Sequence, residues 1–181
     1  MFKNLKIKPQ YEHTKVGLFL FNLCAWFTEF LIKHRWLYYI LACTWGILMT
    51  FIGILITGVL AIVKLFGANI TFFPFYWIYG IKVGPDFWGG FEMGLMFCRD
   101  QKSSDSFIND HEWGHTFQNC LLGIFFPFVV AIPSAIRYWY QEIRSRKGKQ
   151  NKPYDSIWFE DSATQCGKYA VEQLAVKKIS N

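Results

Sequence analysis

Charge is scarce in this chain. Charged residues fill 18% of its 181 positions and hydrophobic ones 52%. That leaves too little polar surface to cover a small water-soluble globule, and the length allows one domain with an appended segment. The five cysteines, Cys24, Cys43, Cys98, Cys120 and Cys166, are odd in number and scattered, with no CxxC. Neither a disulfide framework nor a cysteine-type zinc site is indicated, and the thiols are expected to pack as small apolar groups. No internal repeat and no RNA- or DNA-binding motif occurs. The net charge of +6 is thus not read as a nucleic-acid signal.

Aromatic residues, by contrast, are abundant, with 19 Phe, 9 Tyr and 8 Trp, and Trp and Tyr favour membrane interfaces. Residues 37–63, "LYYILACTWGILMTFIGILITGVLAIV", carry no charge. Crossing a bilayer takes about 20 such residues, so this run predicts a transmembrane helix. It starts too far into the chain and is too long for a cleavable signal peptide. Lys33 and Arg35 flank it on one side and Lys64 on the other, with Trp36, Tyr38 and Tyr39 at belt positions. Basic residues before the span, and again at Arg144, Arg146, Lys147, Lys149 and Lys152, match segments that meet anionic lipid head groups.

The pattern predicts a mainly α membrane protein. It has one long transmembrane helix, interfacial or re-entrant helices, and a short aromatic, Gly-rich β-hairpin packed on a motif-bearing helix. Residues 1–66 hold a basic tail, an apolar segment at 16–32 and the span. Residues 67–181 hold the hairpin at 68–98, a helix and apolar run at 106–139, a basic loop at 140–154 and a last helix at 155–179. Hairpin arms are expected near 70–79 and 89–98, because aromatic runs there are bounded by Pro74, Gly80, Gly84, Pro85, Gly89, Gly90 and Gly94. A helix is expected to start between Ser104 and Asn109. Pro127 and Pro133 predict a kinked or re-entrant element over 120–136.

Two of the four histidines stand in "DHEWGHTFQN", residues 110–119. On a helix, residues i and i+4 share a face, so His111 and His115 can aim at one metal ion. Glu112 lies about 100° around the helix and can reach a water beside the metal without ligating it. Zinc lowers the pKa of such a water to about 7, and a carboxylate takes the proton on attack. The competing reading makes Glu112 the third residue of a capping box begun by Asn109. A catalytic zinc takes three protein ligands. His13 and His34 precede the span and read as interfacial cations. Downstream, "SIWFEDSATQCG" (156–167) offers Glu160 and Asp161 on different sides of a helix. Ala163 shares the Glu160 face and would let the helices approach closely. On the motif helix, Gly114 suits close packing, and Trp113 and Phe117 suit core or lipid contact. Gln118 either hydrogen-bonds a ligand or ends a polar stripe.

HExxH followed by a glutamate in an ExxA helix resembles the gluzincin metallopeptidases, the clan of thermolysin and neprilysin. More closely, "HEWGHTFQ", with "GGFEMGLMF" before it and "IPSAI", Glu160, Ala163 and Gly167 after it, resembles small, little-characterised bacterial integral membrane proteins taken to be peptidases. The resemblance covers roughly residues 86–168. It implies one Zn2+ per chain held by His111, His115 and Glu160, Glu112 as general base, and a peptide or protein substrate. It also implies membrane lipid around the chain and a place in the bacterial cytoplasmic membrane. Where gluzincins often have Asp four residues after the ligand Glu, this chain has Thr164. Thr164 is therefore a candidate partner for a ligand histidine, with Asp161 or Asp110 as substitutes. Tyr154 and Tyr169 are the candidate oxyanion donors. The stretch 89–98 suits either core packing or an edge strand that pairs with substrate. The basic loop argues for a cytoplasmic site, and a single crossing with the N-terminal tail inside argues for the opposite face. A lipid or amide hydrolase with the same zinc chemistry, and an inactive metal-binding membrane protein, remain the alternatives. Oligomeric state has no signature in the chain.

Overall fold

The computed structural model describes residue 2 and residues 4–84, 89–101 and 105–179. Helix α1 spans Lys15–Lys33, α2 Arg35–Cys43 and α3 Ile47–Leu65. Strands β1 (Ile70–Phe75), β2 (Ile78–Val83), β3 (Gly90–Met93) and β4 (Met96–Asp100) follow. Helices α4 (Asp105–Leu122), α5 (Ile132–Arg146) and α6 (Trp158–Ile179) complete a mixed α/β fold.

The uncharged run does not form one helix. It breaks at 44–46 into α2 and α3. The Gly46 amide turns back to the Leu41 carbonyl, Thr44 Oγ1 bonds the Ile40 carbonyl, and Thr50 Oγ1 bridges to the Ala42 carbonyl. The two parts have different neighbours. On α2, Tyr38 and Ala42 are buried in the core with Trp113 and Phe117. On α3, Phe51, Ile54, Leu55, Val59 and Ile62 are exposed.

Two helices, α1 and α3, are long and apolar enough to cross a membrane. Each has 19 residues, about 28 Å at 1.5 Å per residue. In α1 the buried stripe Gly17, Phe21, Cys24, Ala25, Thr28, Leu31 and Ile32 follows the helical period and packs on α6. Glu29 accepts from the Lys6 and Ile7 amides at 2.6 and 3.2 Å, which accounts for a carboxylate in this apolar helix.

The expected single hairpin is instead a four-stranded sheet, in the order β1-β2-β4-β3. Two antiparallel hairpins lie side by side through a parallel β2–β4 pair. The first turns at Tyr76 and Trp77, a site with neither Gly nor Pro, where Tyr76 takes φ +48°. Pro74 is tolerated because β1 is an edge strand. The link between the hairpins, 85–88, and the expected capping segment, 102–104, lie outside the described residues.

Helix α4 starts at Asp105, so Asn109 and Glu112 belong to its second turn. The capping-box reading is therefore replaced. The apolar run after α4 is bent, as its prolines predicted. The segments Ser106–Phe125 and Pro127–Arg146 meet at 115°. Gly123 has φ +56° at the bend, and a Cβ there would overlap the Trp45 ring. The basic stretch expected as loop from residue 140 stays helical to Arg146. Three arginine and amide side chains of α5 tie the returning segment down. Arg137 donates to the Tyr154 carbonyl, Gln141 to that of Lys152 and Arg144 to that of Gln150.

Helices α4 and α6 make the most intimate contact in the molecule. A Cβ at Gly114 would overlap the Ala163 carbonyl, and one at Gly167 would overlap the Asp110 carbonyl. The two backbones touch because neither glycine has a side chain. Gly114→Ala is expected to destabilise the protein by about 3 kcal/mol, the upper end of overpacking costs. Gly58→Ala, with nothing within 4 Å, should not destabilise, since alanine is the better helix former. Thermal unfolding in detergent distinguishes the two.

Candidate metal centre

Helix α4 presents His111 and His115 on one face, and α6 brings Glu160 to them. The three residues form a buried group able to hold a metal ion. The two Nε2 atoms are 3.2 Å apart, and Glu160 Oε2 lies 3.1 Å from His111 Nε2 and 3.3 Å from His115 Nε2. Donors bound to a tetrahedral zinc at about 2.0–2.1 Å stand roughly 3.3–3.4 Å apart, so the triangle fits one face of such a site. Both Glu160 oxygens are buried without a hydrogen-bond partner. Burial pushes the Glu160 carboxyl up, but the two imidazoles facing it outweigh burial and hold it below the usual carboxylate range. It is ionised, as a ligand must be.

The outer nitrogens of both rings are occupied. The Gln118 amide nitrogen donates to the Phe159 carbonyl and to Ser162 Oγ, each at 2.7 Å. Its oxygen therefore faces His115 Nδ1, at 2.7 Å, and that nitrogen must carry the proton. Thr164 Oγ1 stands 2.8 Å from His111 Nδ1 and can accept in the same way. Both Nε2 atoms then face the Glu160 carboxylate and are the ring positions open to a metal ion, with the outer nitrogens fixed by Gln118 and Thr164.

Glu112 is 4% exposed, and its Oε2 has no partner. Gly90 of β3 makes room for it, since a Cβ at 90 would come 2.7 Å from Glu112 Oε1. Beside these residues runs a cleft of about 570 Å3, walled by β3, α4, the bend and α5. Tyr154 lines it, with its hydroxyl 2.7 Å from Ser134 Oγ. Burial and the nearby Glu160 carboxylate push its phenol up from the ordinary value, so it keeps its proton.

Other residues singled out in the sequence lie elsewhere. Asp161 accepts from the Gln10 and Tyr11 amides and meets His13 Nε2 at 2.8 Å. It anchors the N-terminal segment, and His13 is correspondingly buried against it. Tyr169 packs on the clusters around Phe21 and Trp113, and the Asp110 carbonyl abuts Gly167. Trp113 and Phe117 are core residues. Four cysteines are buried and Cys43 is exposed.

One cleft residue had no place in the sequence reading, Glu92 of β3. Its Oε1 accepts from the Gly94 amide at 2.5 Å and from Asn119 Nδ2 at 3.2 Å, while its buried Oε2 has no partner. Burial raises its carboxyl to about 8, with the Gly94 amide opposing. A lone carboxylate inside the apolar "GGFEMG" was the available signal.

No family model, curated protein or solved structure matches this chain. The site is of the general zincin type: a three-ligand metal-binding cluster typical of catalytic zinc enzymes. Elemental mass spectrometry of the detergent-purified protein is expected to find about one zinc per chain, and much less after Glu160→Ala. Gln118→Leu frees the His115 ring and is expected to weaken zinc binding about 10–100-fold in a competition titration with a chromogenic chelator.

Proposed function

We propose that this chain is a membrane-embedded, zinc-dependent metallopeptidase of gluzincin-like design. The observation that carries the proposal is the unpartnered Glu112 carboxylate beside the His111, His115 and Glu160 cluster, in a cleft bordered by an edge strand. Two imidazoles and a carboxylate suit zinc. A zinc ion held there acts as a Lewis acid and makes a neighbouring water acidic enough to attack near neutral pH.

The chain's own groups supply the rest. Glu112 accepts the proton of the attacking water and delivers it to the departing amine, as a general base and then a general acid. Its unpartnered Oε2 leaves it free for both transfers. Tyr154, protonated and lining the cleft, donates to the carbonyl oxygen as charge develops there. Gln118 and Thr164 hold the two imidazoles in one tautomer and one orientation. Among the described residues β3 is the last strand of the sheet, and it lines the cleft. It offers main-chain donors and acceptors to an extended chain, which favours a peptide over a lipid as substrate.

The setting is a bilayer, in this reading the bacterial cytoplasmic membrane. The length and hydropathy of α1 and α3 support it. So do the exposed Ile132, Ile136, Trp139, Tyr140 and Ile143, which form one apolar stripe along α5. Glu112→Gln is expected to retain one zinc and to lower peptide hydrolysis by about 10^2–10^4-fold. A variant with normal zinc content and full hydrolytic activity would sink the mechanism.

A further inference from the structure

We infer that Glu92 binds the free amino group of the substrate, so that the enzyme works from the amino end of a peptide chain. This inference rests on the peptidase reading above and names the substrate class of the same cleft.

Glu92 is 4% exposed and lines the cleft that holds Glu112 and the two histidines. Its two oxygens differ. Oε1 already accepts from Gly94 and Asn119, which fixes the carboxylate, while Oε2 is buried without a partner. A buried polar atom without a hydrogen-bond partner is costly, so a complementary group is expected at this position. Among the described residues lining the cleft there is no Lys or Arg, whereas the buried Glu92 and Glu112 both line it. The interior therefore favours a cation. An ammonium group supplies one positive charge and three N–H donors, enough to engage Glu92 Oε2 with donors to spare.

The shape of the cleft says which ammonium. Asn119, the partner of Glu92, is one helical turn beyond His115. Past Glu92 the β3–β4 turn is pressed on α3. A Cβ at Gly94 would come 2.5 Å from the Thr50 Cα, and one at Gly53 would overlap the Met93 carbonyl. In the other direction the cleft continues to Gln141, Ser145 and Asn151, along a helix with no buried residue. A chain therefore fits with its end at Glu92 and the remainder running towards α5. Internal cleavage would need space on both sides. Hydrolysis of the first peptide bond then consumes one water. The water oxygen bonds to the carbonyl carbon, the C–N bond breaks, and a proton passes to the nitrogen of the departing peptide.

The test compares one apolar peptide with a free amino end and the same peptide N-acetylated, on the zinc-loaded wild type and on Glu92→Gln. Glutamine keeps an oxygen for Gly94 and Asn119 but loses the charge. The wild type is expected to prefer the free peptide in kcat/KM by about 100-fold or more, since a site built for a polar group rejects the analogue lacking it. In Glu92→Gln that preference should fall to within a few-fold. Leucinamide, as a binding probe, should raise the thermal unfolding midpoint of the wild type and not of the variant, and N-acetyl-leucinamide should raise neither. Equal cleavage of both peptides by the wild type, or a full preference retained in Glu92→Gln, overturns this inference and leaves the peptidase reading standing. Zinc-loaded protein that cleaves neither peptide and ignores leucinamide overturns both.

Discussion

The contact between α4 and α6 is the constraint on which the rest of the structure depends. Glu160 reaches the two imidazoles only because the helix backbones touch at Gly114 and Gly167. Ala163 and Gln118 add to the same seam, the first by being small and the second by bonding the Phe159 carbonyl and Ser162. Where two helices pack this closely, one added methyl cannot be absorbed by side-chain rotation, because the obstacle is main chain. The distances among His111, His115 and Glu160 are thus set by backbone geometry rather than by flexible side chains. That is the kind of support a site needs if it is to hold its groups within about 0.5 Å.

Around this seam the remaining elements act as braces. Helix α1 packs on α6, and the N-terminal segment is pinned to both through Glu29 and Asp161. Helix α2 packs Tyr38 on Thr116 through a 2.8 Å hydrogen bond and on Phe117 through ring contact. The sheet approaches α4 from the other side, where Gly90 leaves space for Glu112 and Phe97 joins the aromatic cluster around Trp113. The buried polar residues therefore sit inside a shell of apolar packing. Exclusion of water from such a shell strengthens every charge interaction within it.

The outer surface has a different character. The exposed sides of α3 and α5 are aliphatic and aromatic, and contiguous apolar patches on a protein surface mark contact with a membrane or a partner. In the proposed membrane setting, α5 lies with one face towards lipid and the other towards the cleft. The basic residues 144–152 at its end then meet head groups. The apolar exterior and the cleft share one helix.

Local signals were legible in the chain. The i, i+4 spacing of His111 and His115 places them on one helix face wherever that helix packs. The apolar runs announce helices fit for a bilayer, and Pro127 announces a bend. Ala163 and Gly114 read as small residues at a close contact. What the chain could not show was set by neighbours distant in sequence. The break at 44–46 separates α2, packed into the core, from α3, whose outer face is exposed, a difference invisible in an unbroken apolar run. The second hairpin stayed hidden because Tyr76 and Trp77 turn without Gly or Pro. Glu160 and Asp161 are adjacent in sequence, yet one faces the histidines and the other faces His13, a choice made by the rotation of α6 against α4. Glu92 acquired its place only when β3 was laid beside α4. Sequence by itself determined which residues are able to bind a metal and which segments avoid water, because those properties belong to side-chain chemistry and helical period. Tertiary structure alone decided which carboxylates meet the histidines and the cleft, because that depends on how two helices and a strand pack in space.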